Sequence, residues 1–150
     1  MKERYFDPNY ALIYTHFSDA FPPGGFFKEV LEVGKWNEEK GTKNIDMLIL
    51  DARDCTNANL EDTDRAYNSW FSGKLENQLT RSKLESLQIL ILVDPVTETG
   101  QIITERVNRI RGHARQDSHI YYDIGELKAS IGLPDNYQMP RDSRRQIPIE

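Results

Sequence analysis

The amino-acid sequence predicts one α/β domain built around a mostly parallel β-sheet. Two short apolar runs, Ile45–Leu50 and Leu87–Val93, have the continuous hydrophobicity of strands that are covered on both faces. Segments with helical periodicity follow each run, and strands that alternate with helices imply parallel pairing through right-handed crossovers. The length of 150 residues fits a single domain with its own hydrophobic core.

The chain opens with a predicted β-hairpin. Lys2–Phe6 is a short strand candidate, and Tyr10–Phe17 is rich in residues that favour strands. Between them lies an Asp-Pro-Asn sequence at residues 7–9, which is typical of a turn. The Pro-Pro-Gly-Gly segment at 22–25 ends the second strand and precedes the first helix.

Four helices are predicted from apolar residues that recur at helical spacing. In chain order, these residues are Phe26, Val30 and Val33; Leu60, Tyr67, Trp70, Phe71, Leu75 and Leu79; Ile103, Val107 and Ile110; Leu127 and Ile131. Asn59 is the predicted cap of the second helix, and Asp123 with Glu126 has the spacing of a capping box for the fourth. Gly132 and Pro134 are a predicted stop for that helix.

A last strand and a tail complete the predicted organisation. His119–Tyr122 is a short strand, which makes the element order β-β-α-β-α-β-α-β-α. Residues 1–135 are therefore predicted to form the domain. Residues 136–150 lack periodicity and contain proline, arginine and glutamine, so they are predicted to form a flexible tail.

The composition narrows the classes of function. A formal net charge of -5 argues against a general binder of nucleic-acid phosphates, which needs an excess of Lys and Arg. Cys55 is the only cysteine, so no intramolecular disulfide can form and a reducing compartment is favoured. The N-terminus lacks the apolar run of a signal peptide, and no apolar stretch is long enough to span a bilayer. We therefore expect a cytoplasmic protein.

Three stretches carry a resemblance to a known family. They are ALIYTHFSDAFPPGGFFKEVLE at 11–32, IDMLILDARDCTNANLEDTDRAYNSWF at 45–71 and HIYYDIGELKASIGLP at 119–134. Their order of strands, helices and turns resembles the STAS domain superfamily, named for sulphate transporters and anti-sigma-factor antagonists. More narrowly, the chain looks like the SpoIIAA-like stand-alone proteins of bacteria. The resemblance covers roughly residues 5–133.

The resemblance implies a layered α/β sandwich that works by binding. We predict no cofactor. Regulatory members of the family carry a phosphorylatable serine where the helix after the central strand begins. Here residues 59–62 read Asn-Leu-Glu-Asp, with neither serine nor glycine. Glu61 either interacts favourably with the helix dipole or supplies a permanent negative charge in place of phosphate. The expected function is a non-enzymatic binding or regulatory module without the usual switch.

A contact loop is predicted directly after the central strand, because ligands of open α/β sheets usually lie at the carboxyl ends of strands. Its residues are Asp51, Asp54, Thr56, Asn57, Asn59 and Glu61. Carboxylates at such a place can hold a cation such as Mg²⁺. Helix caps and turns also explain these acidic residues, and we predict no metal here.

A basic side is predicted on the third helix. It consists of Arg106, Arg109, Arg111 and Arg115. Such a side is most often a solvated helix face. It could also contact an acidic partner protein, the acidic segment of a second copy in a dimer, or an anionic membrane surface.

Two alternative functions remain open at the level of sequence. One is a carrier of a small apolar ligand, held in a pocket lined by aromatic residues. Candidates for that lining are Phe17, Phe21, Phe26, Phe27, Trp36, Tyr67, Trp70 and Phe71. The other is a hydrolase or transferase that uses Asp51, Asp54 or Cys55. A lone cysteine is more often a small buried hydrophobic residue than a nucleophile.

Overall fold

The described part of the chain folds around one six-stranded sheet. The computed structural model describes residues 2–21, 28–30, 32–34, 45–58, 88–111, 118–139 and 147–148, for some of which it gives the backbone alone. The strands are β1 (Lys2–Asp7), β2 (Leu12–Phe21), β3 (Met47–Ala58), β4 (Gln88–Leu92), β5 (Ser118–Tyr121) and β6 (Ile147–Pro148). The described helices are α1 (28–30 and 32–34), α2 (Glu98–Arg111) and α3 (Ile124–Ser130).

The strand order across the sheet is β5-β4-β3-β2-β1-β6. Strands β2, β3, β4 and β5 pair in parallel, whereas β1 pairs antiparallel with both β2 and β6. The predictions of an α/β fold, a mostly parallel sheet and an N-terminal hairpin are therefore confirmed. In the hairpin turn, the Asn9 amide donates to Oδ1 of Asp7 at 3.0 Å, as expected for an Asp-Pro-Asn sequence.

The two faces of the sheet bury separate apolar cores. Val30 and Val33 of α1 and Ile103 of α2 pack in the same core as Leu48 and Leu50 of β3, on what we call the α1/α2 face. This is expected, because the parallel strands advance in one direction and right-handed crossovers then place their helices on one side. The opposite side, the α3 face, buries Leu12, Ile49, Leu90, Leu92, Leu127, Leu133 and Met139.

Strand β3 is longer than the sequence predicted. The expected loop from Asp51 onward is wrong, since residues 51–58 continue the strand. They keep their partners because β2 also extends, to Phe21, and two irregularities adjust the register between the strands. Asp19, at the second irregularity, has a φ of 63°, in the left-handed region.

The last described helix has the predicted start and stop. The Asp123 side chain caps α3 and accepts a hydrogen bond from the Gly125 amide at 3.0 Å. Leu127 is fully buried, and Ile131 packs partly against the α3-face core. Gly132 follows with a φ of 73°, a conformation that glycine adopts without strain.

The packed chain continues past the predicted boundary at residue 135, which corrects the prediction of a flexible tail from residue 136. The Tyr137 hydroxyl donates to Oδ2 of Asp7 at 2.7 Å, its ring meets Tyr10 edge-on, and Met139 is buried. Ile147–Pro148 then pairs with β1, and proline is tolerated there because β6 is an edge strand. Residues 140–146 and 149–150 lie outside the described residues.

The predicted second helix, which begins after Asn59, also lies outside the described residues. Within the part of the chain that the structure describes, no helix combines the length and apolar character needed to cross a membrane.

Candidate functional site

A group of polar side chains lies in the middle of β2 and β3, level with the carboxyl end of β4, on the α3 face of the sheet. We call it the polar cluster and define it as Tyr14 and His16 of β2 with Asp51, Arg53 and Asp54 of β3. Tyr14 belongs to the α3-face core, and His16 follows it two residues later, as the alternation of a strand requires. The carboxyl ends of parallel strands are where open α/β sheets usually bind ligands.

Asp51 is the centre of one half of this cluster. Its carboxylate accepts hydrogen bonds from the Tyr14 hydroxyl at 2.5 Å and from the Arg53 backbone amide at 3.1 Å. The Arg53 guanidinium adds two more, from Nε at 2.9 Å to Oδ1 and from Nη2 at 2.8 Å to Oδ2. This bidentate ion pair is the geometry in which arginine binds a carboxylate most specifically.

The environment of Asp51 keeps its carboxylate ionised. Burial on its own raises the pKa of Asp51, but the hydrogen bonds from Arg53 and Tyr14 and the positive charge of Arg53 outweigh it. The pKa of Asp51 therefore lies below its ordinary value, and the hydrogen bond to Asp51 raises the pKa of Arg53. Asp51 and Arg53 form an ion pair that persists at neutral pH.

His16 and Asp54 form the other half of the cluster. Nε2 of His16 lies 2.6 Å from Oδ2 of Asp54. The His16 side chain is 2% exposed, whereas that of Asp54 is 59% exposed. A buried imidazole thus fixes the orientation of a carboxylate that reaches solvent.

A local irregularity of β3 creates this arrangement. His16 pairs with Asp51 and Ser18 with Asp54, so β3 has one residue more than β2 between these two pairs. The bulge lies between Ala52 and Cys55, which both pack in the α1/α2-face core although they are three residues apart. The two residues between them, Arg53 and Asp54, can therefore both bond to side chains of the polar cluster. Bulges often redirect side chains in this way beside functional sites.

The cluster consequently presents two half-exposed side chains of opposite charge. Arg53, with 36% of its side chain exposed, is anchored by Asp51, and Asp54 is anchored by His16. Each anchor is almost fully buried, so the exposed groups lose little further freedom when they meet a partner. Such preorganised charges favour recognition of polar groups on another molecule.

The other residues of the predicted contact loop take less part in this cluster. The Thr56 hydroxyl donates to the Asp19 carbonyl at 3.3 Å, and Asn57 pairs with Ala20 along β2. Asn59 and Glu61 lie outside the described residues. Arg106, Arg109 and Arg111 lie within the span of α2, but their side chains are outside the described part of the chain, as is all of Arg115.

Cys55 points away from the polar cluster. It is buried in the α1/α2-face core, which confirms its interpretation as a small hydrophobic residue. Burial raises the pKa of its thiol to about 11, and the charges of Asp51, Asp54 and Asp19 contribute to the rise. A thiol in this state is a poor nucleophile.

A metal site and a pocket for an apolar ligand were both considered from the sequence. In the described ranges, no group of three or more His, Cys, Asp or Glu residues is placed to hold a metal ion. Phe17 is fully buried core on the α1/α2 face and so does not line an open pocket. The side chains of the other aromatic residues of the predicted pocket lie outside the described residues.

Tyr14, His16 and Arg53 were missed by sequence reasoning. In the sequence, Tyr14 and His16 are part of a run with strand propensity, and Arg53 falls in a stretch that predicts a loop. The available signal was the spacing of Tyr14 and His16, which places two polar side chains on the same face of β2. Their link to β3 depends on a bulge that periodicity does not reveal.

Comparison with known proteins assigns no family to this chain. No protein-family model matches it, and a search of curated proteins finds no match.

Proposed function

We propose that this protein is a non-enzymatic binding or regulatory module of the STAS/SpoIIAA-like type, which contacts another protein through Arg53 and Asp54. Its parallel strands, preceded by an antiparallel hairpin, are compatible with the layered α/β sandwich that this resemblance implies. The contact surface is the exposed part of the polar cluster.

One observation carries the proposal. Two neighbouring side chains of opposite charge, Arg53 and Asp54, are each held by a buried polar partner while remaining exposed themselves. Burying polar groups such as Asp51 and His16 is unfavourable unless they are well bonded. Here they are bonded to the groups that face outward, which favours a role in recognition. Arginine is also enriched among residues that dominate binding energy in protein interfaces.

The same geometry supports binding over hydrolysis or group transfer. The Asp51 carboxylate is engaged by four donors and has a lowered pKa, which makes it a weak base. Cys55 lies in the core on the other face with a raised pKa. His16 is buried, so a substrate has little access to its ring.

The proposed module differs from regulatory relatives in its control. Residues 59–62 contain no serine at the place where the resemblance predicts one. Arg53 and Asp54 are oriented by their partners within the fold, Asp51 and His16. We therefore propose that partner binding is constitutive, or is controlled by the partner, and does not depend on phosphorylation at this position.

Affinity capture from cells of the source organism tests this function. The immobilised wild-type chain should retain a partner that Arg53→Met and Asp54→Asn each weaken by at least roughly tenfold, because each removes a preorganised charge. Asp46→Asn is the matched control, since Asp46 is an exposed carboxylate at the amino end of the same strand. A wild-type chain that retains no protein would contradict the proposal, as would a partner that both cluster variants retain fully.

A further inference from the structure

Two large hydrophobic side chains are exposed at the carboxyl end of the sheet. Among the described residues, Val96 is 85% exposed and Tyr122 is 48% exposed. Val96 lies in the turn after β4, and Tyr122 directly follows β5. The two turns start side by side, because the Val93 amide donates to the Tyr121 carbonyl at 3.1 Å. We call residues 94–98 and 122–126 the β4–β5 turn surface.

Side-chain hydrogen bonds hold both turns. Asp94 accepts from the Val96 amide at 3.0 Å, and the Thr97 hydroxyl donates to the Asp94 carbonyl at 3.1 Å. Asp123 is likewise fixed as the cap of α3. Val96 and Tyr122 are therefore presented from ordered backbone, which reduces the entropy lost when a partner covers them.

Acidic side chains predominate among the described charged residues at this end of the sheet. Exposed carboxylates at this end of the described sheet belong to Asp19, Asp54, Glu98, Asp123 and Glu126. The described cation among these carboxylates, Arg53, is paired with Asp51. The surface thus combines exposed apolar groups with an acidic rim.

We infer that the β4–β5 turn surface is a docking site for a basic, apolar segment of a partner protein, in which lysine or arginine flanks a hydrophobic side chain. The inference rests on the proposed binding function and names the chemistry of the partner. Val96 and Tyr122 supply the apolar contact, since exposed hydrophobic groups with a polar rim are typical of interaction sites. The carboxylates select for positive charge and accelerate the encounter.

Charge also excludes two other occupants. An anionic membrane surface is repelled by the acidic rim. A two-fold dimer through this surface would bring the same carboxylates of two copies together, because a two-fold interface joins the same surface patch of both copies. A basic partner segment is the occupant that the surface complements.

Fluorescence anisotropy with a labelled lysine–leucine hexapeptide tests the inference on the full chain. The peptide should bind saturably, and its affinity should fall steeply with added salt. Matched glutamate–leucine and lysine–alanine peptides should not bind. Val96→Ala combined with Tyr122→Ala should weaken binding roughly tenfold, as truncation of central contacts does. Both side chains are exposed, so thermal melting should confirm that the double variant stays folded.

Charge-reversal variants test whether the acidic rim contributes to peptide binding. Glu126→Lys should weaken binding of the lysine–leucine peptide several-fold. Asp46→Lys, at the opposite end of the sheet, should leave this binding unchanged. Equal binding by the wild type and the double variant would overturn the inference, as would no binding at all. A wild-type dimer in light scattering that the double variant converts to a monomer would instead assign the surface to a second copy. If cells yield a partner that depends on Arg53 but the peptide fails, the proposed function stands and this inference falls.

Discussion

The hydroxyl of Tyr14 donates to Oδ2 of Asp51 at 2.5 Å, and both side chains are almost fully buried. In the register of the sheet, Tyr14 is opposite Ile49, so this bond reaches diagonally to the next residue on the same face of β3. The bond joins two parallel strands beyond their backbone ladder. It also fixes the carboxylate that orients Arg53, and so connects the α3-face core with the exposed part of the polar cluster.

Asp51→Asn should destabilise the protein in a pH-dependent way. The pKa of Asp51 in the folded protein is below its ordinary value of 3.8. Its charged form therefore contributes stability that is fully present above that value and is lost as the pH falls through the lower, folded pKa. We expect Asp51→Asn to reduce the free energy of unfolding by about 2 kcal/mol at pH 7, the range for hydrogen bonds to charged groups.

Urea unfolding at a series of pH values measures this effect. The difference between wild type and Asp51→Asn should narrow below about pH 4, because the carboxylate of the unfolded chain binds a proton there while the folded one is still ionised. Asp46→Asn, which alters an exposed carboxylate of the same chain, should differ little from the wild type throughout. A constant difference between wild type and Asp51→Asn down to pH 2 would contradict the ionised state assigned to Asp51.

The sheet was predictable from sequence because its signals are local. Ile45–Leu50 and Leu87–Val93 predict buried strands from their own apolar character, and Asp123 with Gly132 predicts the limits of α3. The polar cluster was not predictable in this way. His16 and Asp54 are 38 residues apart, and a bulge in β3 brings them together. The end of β3 was also misjudged, because polar residues 51–58 suggest a loop unless their pairing with β2 is known.

The ion pair between Arg4 and Glu29 should be worth more to stability than a surface pair. The two side chains are buried between β1 and α1, and Arg4 Nε donates to Glu29 Oε2 at 3.1 Å. Lys2 and Glu32 extend the network toward solvent. Glu29→Met alone should lower the free energy of unfolding by about 3 kcal/mol, because among the described residues it leaves the buried Arg4 charge with Glu32 as its remaining acidic partner.

Replacing both members of this pair tests the explanation. Arg4→Met with Glu29→Met should recover a large part of the loss, because no uncompensated charge then remains in the apolar layer. Lys2→Met provides the comparison for a half-exposed member of the same network. It should lower the free energy of unfolding by about 0.5 kcal/mol or less. Additive losses in the double variant, measured by urea unfolding, would count against a buried-charge origin.

The thiol of Cys55 should be protected from chemical modification in the folded protein. Its side chain is buried, and its pKa is raised to about 11. At pH 8 its thiolate fraction is then lower than that of an ordinary cysteine of pKa about 8.5 by roughly two orders of magnitude. Reaction with an aromatic disulfide reagent should accordingly be at least about a hundredfold slower than in urea. Because Cys55 is the only cysteine, the Cys55→Ser variant gives the background rate of the reagent. Rapid release of one equivalent of the reagent's aromatic thiol by the native protein would contradict the burial of Cys55.

Gly100→Ala should be strongly destabilising, although alanine is ordinarily the better helix former. A methyl group at Gly100 would overlap the carbonyl oxygen of Asp94, which is backbone and cannot move without disturbing the turn after β4. We expect the free energy of unfolding to fall by about 3 kcal/mol, at the upper end of the range for added volume in a packed site. The same turn presents Val96, so binding of the lysine–leucine peptide should weaken in parallel.

Gly125→Ala is the matched control, because Gly125 also lies in the first turn of a helix. A methyl group there would be 3.5 Å from its nearest neighbour, Oδ2 of Asp123, an ordinary contact. Its free energy of unfolding should change by no more than about 0.5 kcal/mol. If both variants unfold at the same urea concentration, the close approach of α2 to the Asp94 carbonyl does not constrain this turn, and the ordered presentation of Val96 loses its structural basis.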